Sequence, residues 1–355
     1  NDLVCRAIDY LAVRLKGKNI EQVMGQYADV FRQMNDDPGY RWLGPHKGIT
    51  HLALAAITNA CFDLWAKSHG LPLWKLLLEL SPEQTVNLLD LRYLEEVLTR
   101  QDVLDLLYRE KPKREQREKI LKHGYPGYDT SVGWFSYPDK KLVENAKQAV
   151  DAGFLAMKLK IGSKEPERDL RRAFLVRETV GENVTLMLDV NQQWSLPTAL
   201  KMGKKLQAMN PYWIEEPTDP DDLLGHQTLA RQLAPLRIAL GEHVPNKVLF
   251  KNYLQASAMS FNQVDTVRVG GVSEFLTISI LSKKFGIPVV PHVGDMGQIH
   301  QHLVLYNHIA LGHEVLFLEY IPHLRAYFKH PAIVKDGHYR TPREPGASTT
   351  LIENN

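Results

Sequence analysis

Hydrophobic and polar positions divide this chain into two textures. In the first, apolar residues recur at helical spacing: Val4, Ile8, Leu11 and Leu15, then Ile20, Val23 and Tyr27. The run His51 to Lys67 is apolar and alanine-rich, which predicts a buried helix that Gly70 and Pro72 stop. From about Tyr125 short apolar runs alternate with longer amphipathic stretches. The runs predict eight strands: 129–135, 156–161, 185–190, 213–216, 237–241, 261–264, 288–291 and 316–319. Segments 139–152, 165–179 and 273–285 carry helical periodicity. Strand–helix alternation repeated in this way predicts an α/β fold, a (β/α) TIM-type barrel ringed by helices. The expected organisation is a mostly helical cap over 1–124, a barrel over 125–325, and a C-terminal segment, 326–355, that returns to the cap.

Composition narrows the function classes. A chain of 355 residues is long enough for about two domains. Forty-three Lys plus Arg against 41 Asp plus Glu leave a formal charge of +2, which argues against a dedicated nucleic-acid binder. The segment Arg109 to Lys122 holds seven basic residues and three glutamates, and mixed signs predict a solvated helix. Two cysteines, Cys5 and Cys61, make no disulfide framework, so a reducing compartment is expected. No apolar run approaches the roughly 20 residues of a membrane span, and no signal peptide is visible. The expected setting is intracellular, cytoplasmic or mitochondrial, without membrane or nucleic-acid partners.

Active sites of such barrels form at the carboxyl ends of the strands. There stand Lys158 and Lys160, Asp189, Glu215, Glu242, Asp265, His292 and Glu319. Several successive pairs lie 26 or 27 residues apart, about one strand–helix unit. Asp189, Glu215 and Glu242 end adjacent strands. Their mutual repulsion would be relieved by a hard cation with oxygen ligands, and Mg2+ suits such a set. Alternation puts Lys158 and Lys160 on one inward face. A lysine beside another lysine and a metal should have a depressed pKa and serve as a base. Asp265 can fix the tautomer of His292. Glu319, if protonated, could hydrogen-bond a developing negative oxygen. Such a set suits abstraction of a proton alpha to a carboxylate.

These residues lie in AMKLKIG, LMLDVNQQW, WIEEPTDPDD, ALGEH, VDTVRVGGVSEFL, FGIPVVPHVGD and LEYIPHL, which resemble the motifs of the enolase superfamily. Lys-x-Lys with a His–Asp pair looks like its mandelate-racemase-type subgroup. RWLGPHKG, LDLRYLEEVLT, HGYPGYDTS, PTDPDDLLGH and EPGAST are similar to L-fuconate dehydratases over essentially the whole chain. The resemblance implies that Asp189, Glu215 and Glu242 bind Mg2+ and Lys160 is the general base. It implies that Lys158 lies near the substrate carboxylate, His292 with Asp265 is the second acid/base group, and Glu319 stabilises the ene-diolate. The implied reaction removes the alpha proton and the 3-hydroxyl of a sugar acid, giving a 2-keto-3-deoxy product. Trp42, Arg41, Tyr128, Thr130, Ser131, Asn191, Gln193 and Trp194 become candidate sugar contacts.

Family habit implies a homo-oligomer and an α+β cap. The cap's antiparallel N-terminal strands have no counterpart in this sequence, which implies that part of the cap is missing. A racemase or epimerase on the same site is the alternative within the family, and a non-catalytic regulatory descendant the alternative outside it.

Overall fold

The computed structural model describes residues 2–44 and 46–353. Among the described residues nine strands are present: β1 (Tyr125–Gly133), β2 (Ala156–Lys160), β3 (Thr185–Asp189), β4 (Ile214–Glu215), β5 (Ile238–Leu240), β6 (Phe261–Asn262), β7 (Leu318–Tyr320), β8 (Val334–Lys335) and β9 (His338–Tyr339). β1 to β6 lie side by side, all parallel, and β7 pairs parallel with the free side of β1. The strand expected over 288–291 is reduced to one parallel bridge, Asn262 to Val289. Asn262 N–H donates to Pro288 O at 2.9 Å and Val290 N–H to Asn262 O at 2.8 Å. Pro288 has no N–H to give toward β6, and Pro291, which faces the other way, has none to give on the opposite side. Among the described residues no ladder joins this segment to β7. The seam is bridged instead by Val293 N–H donating to Glu319 Oε2 at 3.0 Å, with Val293, Met296 and Leu318 packed beneath.

Period-2 alternation arranges the barrel interior in layers. Tyr128, Ala156, Met187, Trp213, Ala239, Phe261 and Val290 form an apolar floor, with Phe317 packed against it. Two residues further along each of these segments come Thr130, Lys158, Asp189, Glu215, Gly241, Gln263, His292 and Glu319. One step of the pleat therefore changes hydrocarbon into acid–base chemistry. The outward residues, such as Met157, Leu159, Leu186, Leu188 and Ile238, pack under the helices in the main core.

The stretch before β1 is helical among the described residues. The helix expected over 51–67 runs Gly48–Ser68, and by length and hydropathy (1.2) it is long and apolar enough to cross a membrane, where the sequence had suggested none. In the fold its polar groups are used by the protein. Thr58 Oγ1 donates to Gly270 O at 2.9 Å, Asn59 Nδ2 donates to Thr266 O at 3.1 Å, and Asp63 accepts from Ala347 N–H at 2.7 Å. The charged segment 109–122 is not one solvated helix. It is broken around Pro112, and buried Glu110 takes Lys113 and Arg117 while Arg117 also donates to Ile309 O.

β8 and β9 form a hairpin around Asp336 and Gly337, both at positive φ, and β9 pairs antiparallel with the start of β1. Beyond it the chain reaches the helical region, with Leu73 N–H donating to Gly346 O and Gly346 N–H to Leu71 O, both at 2.9 Å.

Candidate active site

The loops leaving the strands hold the site in place. Asn191 (φ 50°), Gln192 (φ 66°) and Glu216 (φ 41°) take left-handed backbone, a cost that clusters at functional sites. Gly241 (φ 156°) lies so close to β6 that an added Cβ would sit 2.4 Å from the Gln263 backbone, so only glycine brings Glu242 into this position. Ser195, Asp222 and Asn246 then cap the following helices and end each loop quickly.

Lys158, fully buried, lies 2.7 Å from Glu215 Oε1, 2.7 Å from Glu319 Oε1 and 3.5 Å from Asp189 Oδ2. Lys160 pairs with Asp189, and its ammonium is 5.6 Å from the Trp134 ring centroid. Trp213 Nε1 and Gln263 Nε2 donate to Glu215 Oε2 at 3.1 and 2.7 Å. Thr130 Oγ1 donates to Glu319 Oε1 at 2.7 Å. On another flank His292 Nδ1 is 2.8 Å from Asp265 Oδ2, while its Nε2 is 3.4 Å from Glu242 and 4.0 Å from Glu319. His300 Nε2 lies 3.0 Å from the other Asp265 oxygen.

Electrostatics here depart from the expectation for the lysines. Burial works to lower Lys158, but Glu215 and Glu319 outweigh it and hold the ammonium well above its ordinary range. Burial likewise works against Lys160, and Asp189 raises it. The depressed lysine expected from sequence is therefore absent while each lysine keeps its own carboxylate. Glu319, given a donor role on the condition that it is protonated, goes the other way. Burial pushes it up, but Lys158 and His292 bring it down to about 2. The acid that keeps its proton is Glu215, raised to about 8 by burial and by Asp189. Three carboxylates share two ammonium groups, and the one next to Asp189 gives way.

The three acids expected to bind metal are separately paired: Asp189 with Lys160, Glu215 with Lys158, and Glu242 with Arg268 at 3.3 Å. Among the described residues, the ligand atoms that gather within 4.8 Å of one another belong to Glu216, Glu242 and His243. Even so, the Asp189–Glu215–Glu242 set fits a hard divalent cation. It offers only oxygen, and Glu242 Oε2 is buried without a hydrogen-bond partner.

Several candidate sugar contacts lie elsewhere. Tyr128 is part of the barrel floor, edge-on to Trp213 and 5.5 Å from the Lys158 ammonium. Trp194 is buried in the core just before the cap residue Ser195, where an apolar side chain packs onto its helix. Trp42 is 92% exposed on the helix Pro38–Leu43, and Arg41 pairs with Asp36. Thr130 faces Glu319, as above. Ser131 N–H donates to Asp129, and Asn191 N–H donates to Asp189 Oδ1 at 2.9 Å. Gln193 is exposed and donates to Asn191 O. Glu216 and His243 stand at strand ends in the sequence but were given no role there, and Gln192 was not singled out; the three are joined by contacts of 2.6 to 2.9 Å, and Gln263 and His300 were also missed. Gln263 was within reach, being two residues past floor residue Phe261.

The His292–Asp265 pair has a thermodynamic consequence. Burial lowers His292, but Glu242 and the Asp265 hydrogen bond raise it to about 9. A raised folded pKa contributes stability fully present below the unfolded value of about 6.5 and lost as pH rises through 9. In EDTA-treated protein the unfolding free energy should therefore fall by on the order of 2–3 kcal/mol across that window from His292 alone. Glu215 adds slope of the same sign, so the difference between the parent and Asp265→Asn isolates the pair. Urea titrations at pH 6 and 9 check this, and equal slopes in both proteins would refute it.

A family model described as enolase C-terminal domain-like matches residues 141–355. Human mitochondrial enolase superfamily member 1 is 41% identical over 359 residues, covering 99% of this chain and 81% of that protein. Its crystal structure matches with a TM-score of 0.96 at 40% identity, over 99% of this chain and 81% of that chain. L-galactonate dehydratase of Hypocrea jecorina is 37% identical over 359 residues, covering 99% of this chain and 80% of that protein. L-talarate/galactarate dehydratase from Salmonella typhimurium LT2, crystallised with Mg and L-lyxarohydroxamate, matches with a TM-score of 0.78 at 28% identity, covering 99% of this chain and 76% of that chain.

Proposed function

The chain belongs to the enolase superfamily, and on that premise we propose that it is a Mg2+-dependent hydro-lyase that dehydrates L-fuconate or a closely similar sugar acid. The observation that carries the reading is the placing of Lys160 and the His292–Asp265 pair on two flanks of one buried carboxylate cluster. Relatives named for sugar-acid dehydration support the substrate class, and a neighbour crystallised with Mg supports the cofactor. Relatives named mitochondrial support an intracellular place of action.

Asp189, Glu215 and Glu242 would hold Mg2+, which when bound supplies Lewis-acid stabilisation of the charge developing on the substrate carboxylate. Lys160 Nζ accepts the alpha proton. Asp189 is the chief group holding its proton; once that carboxylate is engaged as a ligand, burial and Lys158, which lower the Lys160 pKa, are opposed only by the smaller pull of Glu215 and Glu319. Lys158, held between Glu215 and Glu319, presents fixed positive charge to the substrate carboxylate. The Asp265 carboxylate accepts from His292 Nδ1–H, which leaves Nε2 to deliver a proton to the departing 3-hydroxyl. The alpha C–H and the C3–O bonds break, water leaves, and the enol tautomerises to the 2-keto-3-deoxy acid.

A panel of sugar acids, L-fuconate and L-galactonate included, assayed for 2-keto-3-deoxy product tests the reading. Product is expected from L-fuconate with a kcat/KM about tenfold or more above its epimers, as expected of a site whose polar groups are left unpaired by the wrong isomer. It should vanish in EDTA and return with Mg2+. Exchange of the alpha proton into deuterated water without keto acid would favour the racemase instead.

A further inference from the structure

Away from the barrel mouth, the C-terminal segment and the residues just before β1 line a half-open cleft of about 610 Å3, within the range of small-ligand sites. Its lining carries Lys122, Arg325, Lys329, Arg340 and Arg343 against a single acid, Glu344. Among the described residues only Arg340 has an ion-pair partner, Asp336 at 3.6 Å, and that acid is 78% exposed. Among the described residues, no acceptor engages the other four cationic heads. Gln301, also in the lining, is 3% exposed, yet its side-chain amide makes no hydrogen bond to any described residue. Cations without counter-charges around one cleft, with a side-chain amide in its lining, are an arrangement that a bound anion would complete.

We propose that this cavity is a second binding site, distinct from the reaction centre, for a small molecule carrying two phosphate groups. Its field concentrates one sign of charge in a walled space, where anion affinity is greatest. Arginine forks and lysine ammonium groups give charge-assisted hydrogen bonds to phosphate oxygens, and the Gln301 amide in the lining adds a neutral donor. Two phosphates rather than one match the number of cations. The cavity is too small to admit a folded partner. None of its lining residues belongs to the carboxylate cluster, so occupancy and catalysis are separable.

Isothermal titration of the full chain in Mg2+-free buffer at 0.15 M salt, with inorganic pyrophosphate and inorganic phosphate as probes, tests this. Saturable 1:1 binding of pyrophosphate, tighter than phosphate, is expected. The double variant Lys329→Ala/Arg343→Ala should weaken it about tenfold or more, since each charge-assisted bond contributes strongly. Both positions are exposed, so folding is expected to survive; circular dichroism checks it. Lys160→Ala should bind pyrophosphate as the parent does, which separates this cavity from the barrel mouth. Absent binding, equal binding in the double variant, or loss of binding in Lys160→Ala would overturn the proposal. So would a single-stranded RNA oligomer competing at lower concentration than pyrophosphate, which would make the patch a nucleic-acid surface.

Discussion

Lys160→Ala should lower kcat for keto-acid formation by about 10²–10⁴-fold, the usual contribution of a positioned general base. Exchange of the substrate's alpha proton with solvent should fall with it, because both need the same proton transfer. The fold should tolerate the change. Asp189 keeps the Asn191 N–H at 2.9 Å and Lys158 at 3.5 Å, so its carboxylate is not left without donors or counter-charge. Rates measured at saturating substrate and Mg2+, with thermal melts alongside, check the pair of expectations. A variant that melts like the parent and still exchanges the alpha proton at the parent rate would remove Lys160 from the role of base.

Lys158→Met should show the larger effect on stability. Methionine keeps the volume of the side chain and removes its charge. Asp189, Glu215 and Glu319 are each no more than 1% exposed, and Lys158 lies within 3.5 Å of an oxygen of all three. Breaking a buried ion pair from one side costs about 3–5 kcal/mol, because the remaining charge is left buried. A loss of that size is expected at pH 7 in EDTA, read from urea midpoints. Its pH dependence has a definite sign. The folded pKa of Glu319 is depressed to about 2, chiefly through Lys158, so that stabilisation is present above the unfolded value of about 4.5 and lost as pH falls through 2. The gap between parent and variant should therefore narrow as pH drops below 4.5. A gap under about 1 kcal/mol, or one indifferent to pH, would mean that Glu319 is neutralised by something other than Lys158.

Much of the barrel was legible because its signal is local and periodic. Ala156, Lys158 and Lys160 share a face by alternation alone, and β3 ends at Asp189 as the apolar run does. Near-equal spacing of the acids follows from one strand–helix unit per step. The segment over 288–291 had the right composition for a strand, but its two prolines remove one donor on each side and it forms a bridge, so apolarity overstated the pairing. Tyr128 and Trp194 were read as sugar contacts from residue type. Residue type does not report depth, and both side chains are buried in apolar layers. The Asp336–Gly337 hairpin had a turn signature that went unused, since the strands flanking it are only two residues each.

By itself, then, the amino-acid order determined the element types, the inward face of each strand and the set of ionisable groups at the barrel mouth, because each depends on neighbours within a few residues. Tertiary structure decided which charge meets which. Lys158 is shared by Glu215 on β4 and Glu319 on β7, 57 and 161 positions away, and that sharing sends one carboxyl up and the other down. Gln192, Glu216 and His243 meet only because two loops turn through left-handed backbone at the ends of separate strands. Electrostatic energies vary with distance and burial, and neither is written in sequence separation.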